Sequence, residues 1–265
     1  MSYGRNKSGI PLSSTAWLRA HHRAKLPERR NFAQLISSYK PRKIVDLGCG
    51  PGFWLEILNE VAPADCEFIG IDTDVSSINE AQNRAKNWTR SVSFEVFDLT
   101  KPISLPSSDM FLAFNIFSYL SSTDLLMPEI KKSLATGGRL IVRQYDGANI
   151  RFGPMPSRLR LMLENSLYAS VSESCEFQHY DIDRVCKILE KSDFENLNIS
   201  FELFQRCSPF DEYFSDYFCN TIKWTLNQVS DEIYEWLNDW AEHHVFNNEN
   251  KFTYFSESDL VAVLS

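Results

Sequence analysis

The stretch Val45-Asp46-Leu47-Gly48-Cys49-Gly50-Pro51-Gly52 constrains this chain more than any other. In it a carboxylate and three glycines stand where an apolar strand gives way to a helical pattern. Glycines lack a Cβ, so the backbone can turn tightly and come close to a ligand. Trp54, Ile57, Leu58 and Val61 follow at helical spacing, so the free N–H groups of a helix start would face that ligand. This arrangement points to a nucleotide-type cofactor. The spacing excludes the dinucleotide fingerprint, which needs its third glycine three positions after the second. Phe53 occupies that place, and the third glycine comes early, at Gly52. Asp46 would repel a pyrophosphate but attract an ammonium or sulfonium group, so the expected cofactor is cationic.

Two further acids stand at the ends of strand patterns. Phe68-Ile69-Gly70-Ile71-Asp72 is a short apolar run, followed by Thr73, by Asp74 as an N-cap, and by Val75, Ile78, Gln82, Ala85 and Trp88 at helical spacing. Val92, Phe94 and Val96 alternate as a strand does and lead into Phe97-Asp98-Leu99. Any one acid after a strand is commonly just a helix cap, but three motifs in this order are hard to obtain by chance. From about residue 40 to 145 the chain resembles class I S-adenosylmethionine-dependent methyltransferases, whose first motif reads acid, apolar, Gly-x-Gly-x-Gly. The resemblance implies an α/β fold, a Rossmann-like, doubly wound, seven-stranded and mostly parallel sheet. It also implies S-adenosylmethionine as cofactor and S-adenosylhomocysteine as product. Asp46, Gly48, Cys49, Gly50 and Gly52 would surround the amino-acid end, Asp72 and Thr73 the ribose, and Asp98 and Leu99 the adenine.

Residues 1–40 are expected to form an N-terminal helical cap. A helix starting at Ser14 aligns Trp17, His21, His22 and Lys25 along one side; Pro27 ends or kinks it, and Phe32, Leu35, Ile36 and Tyr39 mark a second short helix. Helices before the first strand often fold over the cofactor cleft in the resembled family. Trp17 and His21 are therefore substrate-side candidates, and Arg23 is a candidate partner for the cofactor carboxylate; an ordinary amphipathic surface helix is the competing reading. Adjacent histidines point about 100° apart, so His21 and His22 do not make a metal site, and no metal is expected.

Residues 41–265 are expected to be the methyltransferase domain, with helical lid insertions at about 150–178 and 208–255. The first contains a helix from Met155 to Ala169. The second carries Ile222, Leu226, Val229, Ile233, Trp236, Leu237 and Trp240 at helical spacing between strands at 197–203 and 260–264. Most aromatic residues there read as core, although a few could cage a cation.

Met110-Phe111-Leu112-Ala113-Phe114 is a buried strand by composition, with Asn115 at its carboxyl end, where ligands of open α/β sheets bind. Asn115 is a cofactor candidate or simply a turn residue. The sequence Asn115-Ile116-Phe117-Ser118 departs from the Asn/Asp-Pro-Pro-aromatic motif of the family's nucleobase and glutamine methylating members, which makes those activities poor matches. A helix from Pro128 to Ala135 is expected to stop at Gly137-Gly138, and a strand at 139–146 to end over the substrate cleft. Tyr145, Asp146 and His179 are the candidate bases for an acceptor that must lose a proton. Arg143 and Arg151, with Arg158 and Arg160 behind them, offer guanidinium forks for a carboxylate, although a charged surface also explains the last two.

No apolar run reaches the roughly 18 residues that cross a membrane. Arg5 and Lys7 have no apolar stretch behind them, unlike a secretory signal, so a cytoplasmic protein is expected. The six cysteines contain no Cys-x-x-Cys pair and read as reduced thiols. Residues 1–43 carry ten Lys and Arg against the single acid Glu28, whereas residues 208–265 carry two Lys and eleven acids. A basic arm could bind RNA, but the net charge of -8 opposes phosphate-driven affinity. Methyl transfer to an oxygen or nitrogen of a small polar metabolite (an amino acid, a keto acid or a natural-product intermediate) is the favoured function. An RNA- or protein-modifying methyltransferase is the second reading. A non-catalytic cofactor-binding subunit is the third, which intact Asp46, Asp72 and Asp98 disfavour.

Overall fold

The computed structural model describes residues 13–172, 181–247 and 251–265. The chain begins with helices α1 (Thr15–Ala24) and α2 (Leu26–Ser38). Strand β1 (Lys43–Leu47) then opens an alternation with α3 (Phe53–Val61), β2 (Glu67–Asp72), α4 (Val75–Ala85), β3 (Val92–Val96), β4 (Ser108–Phe114), a short 3-10 turn at Phe117–Tyr119, α5 (Leu126–Ser133) and β5 (Leu134–Gly153). Next come α6 (Ser157–Ser172), α7 (Ile182–Glu190), β6 (Leu197–Cys207), α8 (Glu212–Leu226), α9 (Asp231–Ala241) with a π-helical turn at Glu242–Phe246, and β7 (Tyr254–Leu264). The seven strands form one sheet in the order β3-β2-β1-β4-β5-β7-β6. β1 pairs in parallel with β2 and β4, β2 with β3, and β4 with β5. The order reverses at β1/β4, the topological switch point of a doubly wound sheet.

Alternation within the central strands divides the core between the two sheet faces. Val45, Leu47, Ile69, Ile71, Phe111, Ala113, Leu140 and Val142 pack with Met127 and Ile130 of α5 and Val185 and Leu189 of α7. Their neighbours Ile44, Phe68, Met110, Leu112, Phe114 and Ile141 pack with Phe32 and Ile36 of α2 and Leu55 and Leu58 of α3. Strands buried on both faces are apolar almost throughout, which is why they read as continuous runs in the sequence.

Contacts divide the chain into two compact units: Met1–Lys25, Asp146–Asp181 and Leu203–Ser258 in one; Leu26–Tyr145, Ile182–Glu202 and Asp259–Ser265 in the other. The first unit has its own core, in which Phe214, Tyr217, Phe218 and Ile222 of α8 meet Leu237 and Trp240 of α9, Phe152, Phe204 and Phe255. Thr221 and Thr225 are buried inside α8, and their hydroxyls are satisfied by donating to the carbonyls of Tyr217 (3.0 Å) and Thr221 (2.9 Å).

Three boundaries differ from expectation. α1 ends at Ala24, before Pro27, and Pro27 itself sits in the first turn of α2, where its missing N–H costs nothing, so the proline separates two helices instead of kinking one. α5 ends at Ser133, not at Gly137-Gly138, because Leu134 turns extended and pairs with Ser108 of β4. Gly137, at φ +75°, falls inside β5. β5 also continues to Gly153, so Arg143 and Asp146 lie within a strand and not at its end.

Candidate active site

The turn after β1 has the backbone that its glycines imply: Gly48, Gly50 and Gly52 take φ of +71°, +51° and +78°. A Cβ on Gly48 would stand 2.3 Å from Ile116 Cγ2, so both conformation and space require glycine there. Gly48→Ala is expected to cost at least about 2 kcal/mol, read as a fall in Tm, with loss of cofactor binding in calorimetry.

The turn is tied to β2. The amides of Gly48 and Cys49 donate to the Ile71 carbonyl at 2.7 and 3.0 Å. The Gly50 amide donates to Asp72 Oδ2 at 2.7 Å, and the Asp74 amide to Asp72 Oδ1 at 2.9 Å. Asp72 therefore organises the turn as well as facing it. Burial raises its pKa, and the amides of Asp74, Gly50 and Thr73 oppose that rise. Asp74 caps α4 as predicted, accepting from the Ser77 amide at 3.0 Å.

Asp46 is the unusual group. It is 1% exposed, and its Oδ2 has no hydrogen-bond partner among the described residues. Burial, reinforced by the charge of Asp72, lifts its pKa to about 8. A buried carboxylate without a partner is costly, and a cationic ligand would relieve that cost. The orphaned oxygen beside a cradle without Cβ atoms thus fits the amino-acid end of S-adenosylmethionine. Cys49 keeps its proton, because burial and the charges of Asp46 and Asp72 all push its pKa up.

Parallel strands align their carboxyl ends, so the other predicted cofactor residues fall along the same edge. Beyond β3, Asp98 Oδ1 accepts from the hydroxyl (2.6 Å) and amide (2.9 Å) of Thr100, which hold its pKa down, and Leu99 is buried. Beyond β4, Asn115 takes φ +58°; its amide donates to the Arg143 carbonyl (2.7 Å) and its Oδ1 accepts from the Tyr145 amide (2.7 Å). Gln144, which drew no attention in the sequence, is 1% exposed. Its Nε2 donates to Ser118 Oγ at 2.8 Å, and its Oε1 is buried without a partner among the described residues. The available signal was one amide two residues after the apolar run Leu140-Ile141-Val142.

The remaining candidates are placed differently. Arg143 does not offer a free fork, which corrects its reading as a substrate ligand. Its Nε donates to Asp259 Oδ2 and its NH1 to Glu202 Oε2, both at 2.7 Å, over the Phe32 ring. Burial works to lower its pKa, but these two carboxylates outweigh it. The other candidates belong to the first unit. Asp146 is buried and accepts from the Ala148 amide at 3.1 Å. Trp17 and His21 pack on the Tyr217 ring, and His21 Nε2 lies 3.9 Å from Glu257 Oε1. Arg23 stacks over Tyr213, and Arg151 Nε donates to the Tyr254 hydroxyl at 3.5 Å. His179 lies outside the described residues.

The switch-point turn, the acids within β1, at the end of β2 and beyond β3, and the parallel strands β1 to β5 of the doubly wound sheet all fall within residues 40–237, which a methyltransferase domain family model matches. The chain belongs to the class I S-adenosylmethionine-dependent methyltransferase family. It is 34% identical over 106 residues to a trans-aconitate 2-methyltransferase of Methylobacterium nodulans, covering 40% of this chain and 39% of that one. It is 28% identical over 119 residues to a malonyl-[acyl-carrier protein] O-methyltransferase of Legionella pneumophila, covering 44% and 40%. The matched stretch thus spans half or less of these curated relatives. Among solved structures, a putative methyltransferase from Bacillus halodurans superposes with a TM-score of 0.53 at 12% identity, over 89% of this chain and 97% of that one, a likeness of fold.

Proposed function

We propose that this chain transfers a methyl group from S-adenosylmethionine to an oxygen or nitrogen of a small polar metabolite. The observation that carries this reading is the buried Asp46 oxygen, without a hydrogen-bond partner among the described residues, beside a turn whose three glycines have positive φ. The relatives' names give trans-aconitate and a malonyl group on acyl-carrier protein as acceptors, and the first of these supports a small polar acceptor here. When bound, S-adenosylmethionine supplies an electrophilic methyl on a sulfonium centre. The protein's own task is then mainly alignment and exclusion of water.

In this reading Asp46 receives the ammonium end, and the backbone from Gly48 to Gly52 lies against it. Asp72 keeps the turn in place through Gly50 and turns its remaining lone pairs to the ribose hydroxyls, with Thr73 beside it. Asp98 and Leu99 border the adenine. Asn115 has its Oδ1 committed to Tyr145, which leaves the amide Nδ2 as its donor to the cofactor. Gln144 Oε1 adds an acceptor at the same sheet edge. A proton leaving an acceptor hydroxyl or amine would pass to Asp146, Tyr145 or His179.

Calorimetric titration with S-adenosylmethionine and S-adenosylhomocysteine tests the reading. Micromolar binding by the natural chain, lost in Asp72→Ala with an unchanged circular dichroism spectrum, is expected. Absence of heat and of thermal stabilisation by either ligand would exclude it.

A further inference from the structure

Within the unit of Met1–Lys25, Asp146–Asp181 and Leu203–Ser258, two guanidinium groups converge on one phenol. Arg160 NH2 donates to the Tyr254 hydroxyl at 3.2 Å and to the Phe152 carbonyl at 2.6 Å. Arg151 Nε donates to the same hydroxyl at 3.5 Å. Gly153 makes this convergence possible, since a Cβ there would stand 2.8 Å from the phenol oxygen and 3.0 Å from Arg160 NH2.

Charge is not balanced in this cluster. Among the described residues one carboxylate comes within 4.0 Å of either guanidinium: Glu164 Oε1, half exposed and 3.8 Å from Arg160 NH1. A neutral phenol does not compensate two cations. Arg158 and Arg160 stand in the first turn of α6, which carries no acid. The positive end of the helix dipole favours anions there, so the local charges add instead of cancelling. Arg143 shows the contrast, with a carboxylate on each of two guanidinium nitrogens.

We propose that Arg151, Arg160 and Tyr254 form a carboxylate-binding site. Arg160 is the anchored member, with its side chain 12% exposed and oriented by a carbonyl and the phenol, so a planar carboxylate meets a guanidinium already in position. Arg151 is exposed and closes on the ligand from solvent. Tyr254 contributes its hydroxyl between them.

The test is calorimetry on the full chain with tricarballylate, its uncharged triamide and inorganic phosphate, with S-adenosylhomocysteine titrated separately. Tricarballylate is expected to bind the natural chain and the triamide not to bind. Arg151→Gln and Arg160→Gln should each weaken tricarballylate binding at least tenfold and leave S-adenosylhomocysteine affinity unchanged. Arg151→Gln is the decisive variant, because this exposed side chain contributes little to folding. Failure of the natural chain to bind tricarballylate, or equal binding by Arg151→Gln, would overturn the site. Tighter binding of phosphate through the same arginines would overturn its carboxylate assignment.

Discussion

Asparagine at position 46 is expected to weaken S-adenosylmethionine binding severely while making the ligand-free protein more stable. Both effects come from the buried carboxylate. In the folded chain Asp46 keeps its proton up to about pH 8, whereas an unperturbed aspartate loses it near 3.8. Between these values the folded state binds more protons than the unfolded state. This contribution therefore makes stability fall as pH rises from about 4 to about 8 and level off above. At about 1.4 kcal/mol per pH unit, the full fall is on the order of 5 kcal/mol. Asparagine does not titrate and has no such penalty. After about 1–3 kcal/mol for its unpartnered amide, a net gain of about 2 kcal/mol at pH 7 is expected. Tm measured from pH 5 to 8 should fall for the natural chain and change less for Asp46→Asn; equal slopes would refute the argument. The bound cation, in contrast, needs the carboxylate in its charged form, and removing one partner of a buried charge pair costs about 2–5 kcal/mol. A loss of roughly a hundredfold in affinity or more should follow. Binding to the natural chain below pH 8 should also release a proton, seen as a binding heat that varies with the ionisation enthalpy of the buffer.

Glu257→Ala is expected to destabilise the chain by about 3–5 kcal/mol, the effect of leaving a buried charge without its counter-ion. Glu257 is fully buried in β7; its Oε2 accepts from the Tyr217 hydroxyl at 2.7 Å and its Oε1 pairs with the Lys25 ammonium. Lys25, at the end of α1, is 2% exposed and lies over the Phe204 ring. The carboxylate thus ties α1 to α8 and β7 inside one unit. The double substitution Lys25→Met with Glu257→Leu should recover most of the loss, since removing both charges avoids the uncompensated one. It should fall short by about 1 kcal/mol for the Tyr217 hydroxyl. Urea midpoints of the three proteins check this, and a double variant no more stable than Glu257→Ala would show that packing, not charge, sets the cost.

The cofactor half was legible in the sequence because its signals are local. Gly48, Gly50 and Gly52 are needed for backbone conformation, Asp74 for a helix cap three residues away, and continuous apolar runs for strands covered on both faces. Arg143 and Gln144 were not legible. A fork that a sequence reading offers to substrate is occupied by Asp259 and Glu202, 116 and 59 residues away, and Gln144 became notable only when folding buried an oxygen without a partner.

Sequence by itself therefore determined the doubly wound order of elements and set Asp46, Asp72 and Asp98 at or near the carboxyl ends of β1, β2 and β3. These depend on short-range spacing and on the turns that glycine permits. Tertiary structure alone decided that Asp46 is a destabilising carboxylate, that Arg143 is a structural tie, that Glu257 holds Lys25, and that Arg151 and Arg160 meet at Tyr254. Each of these outcomes depends on charge, burial and distance between residues far apart in the chain, which no local pattern encodes.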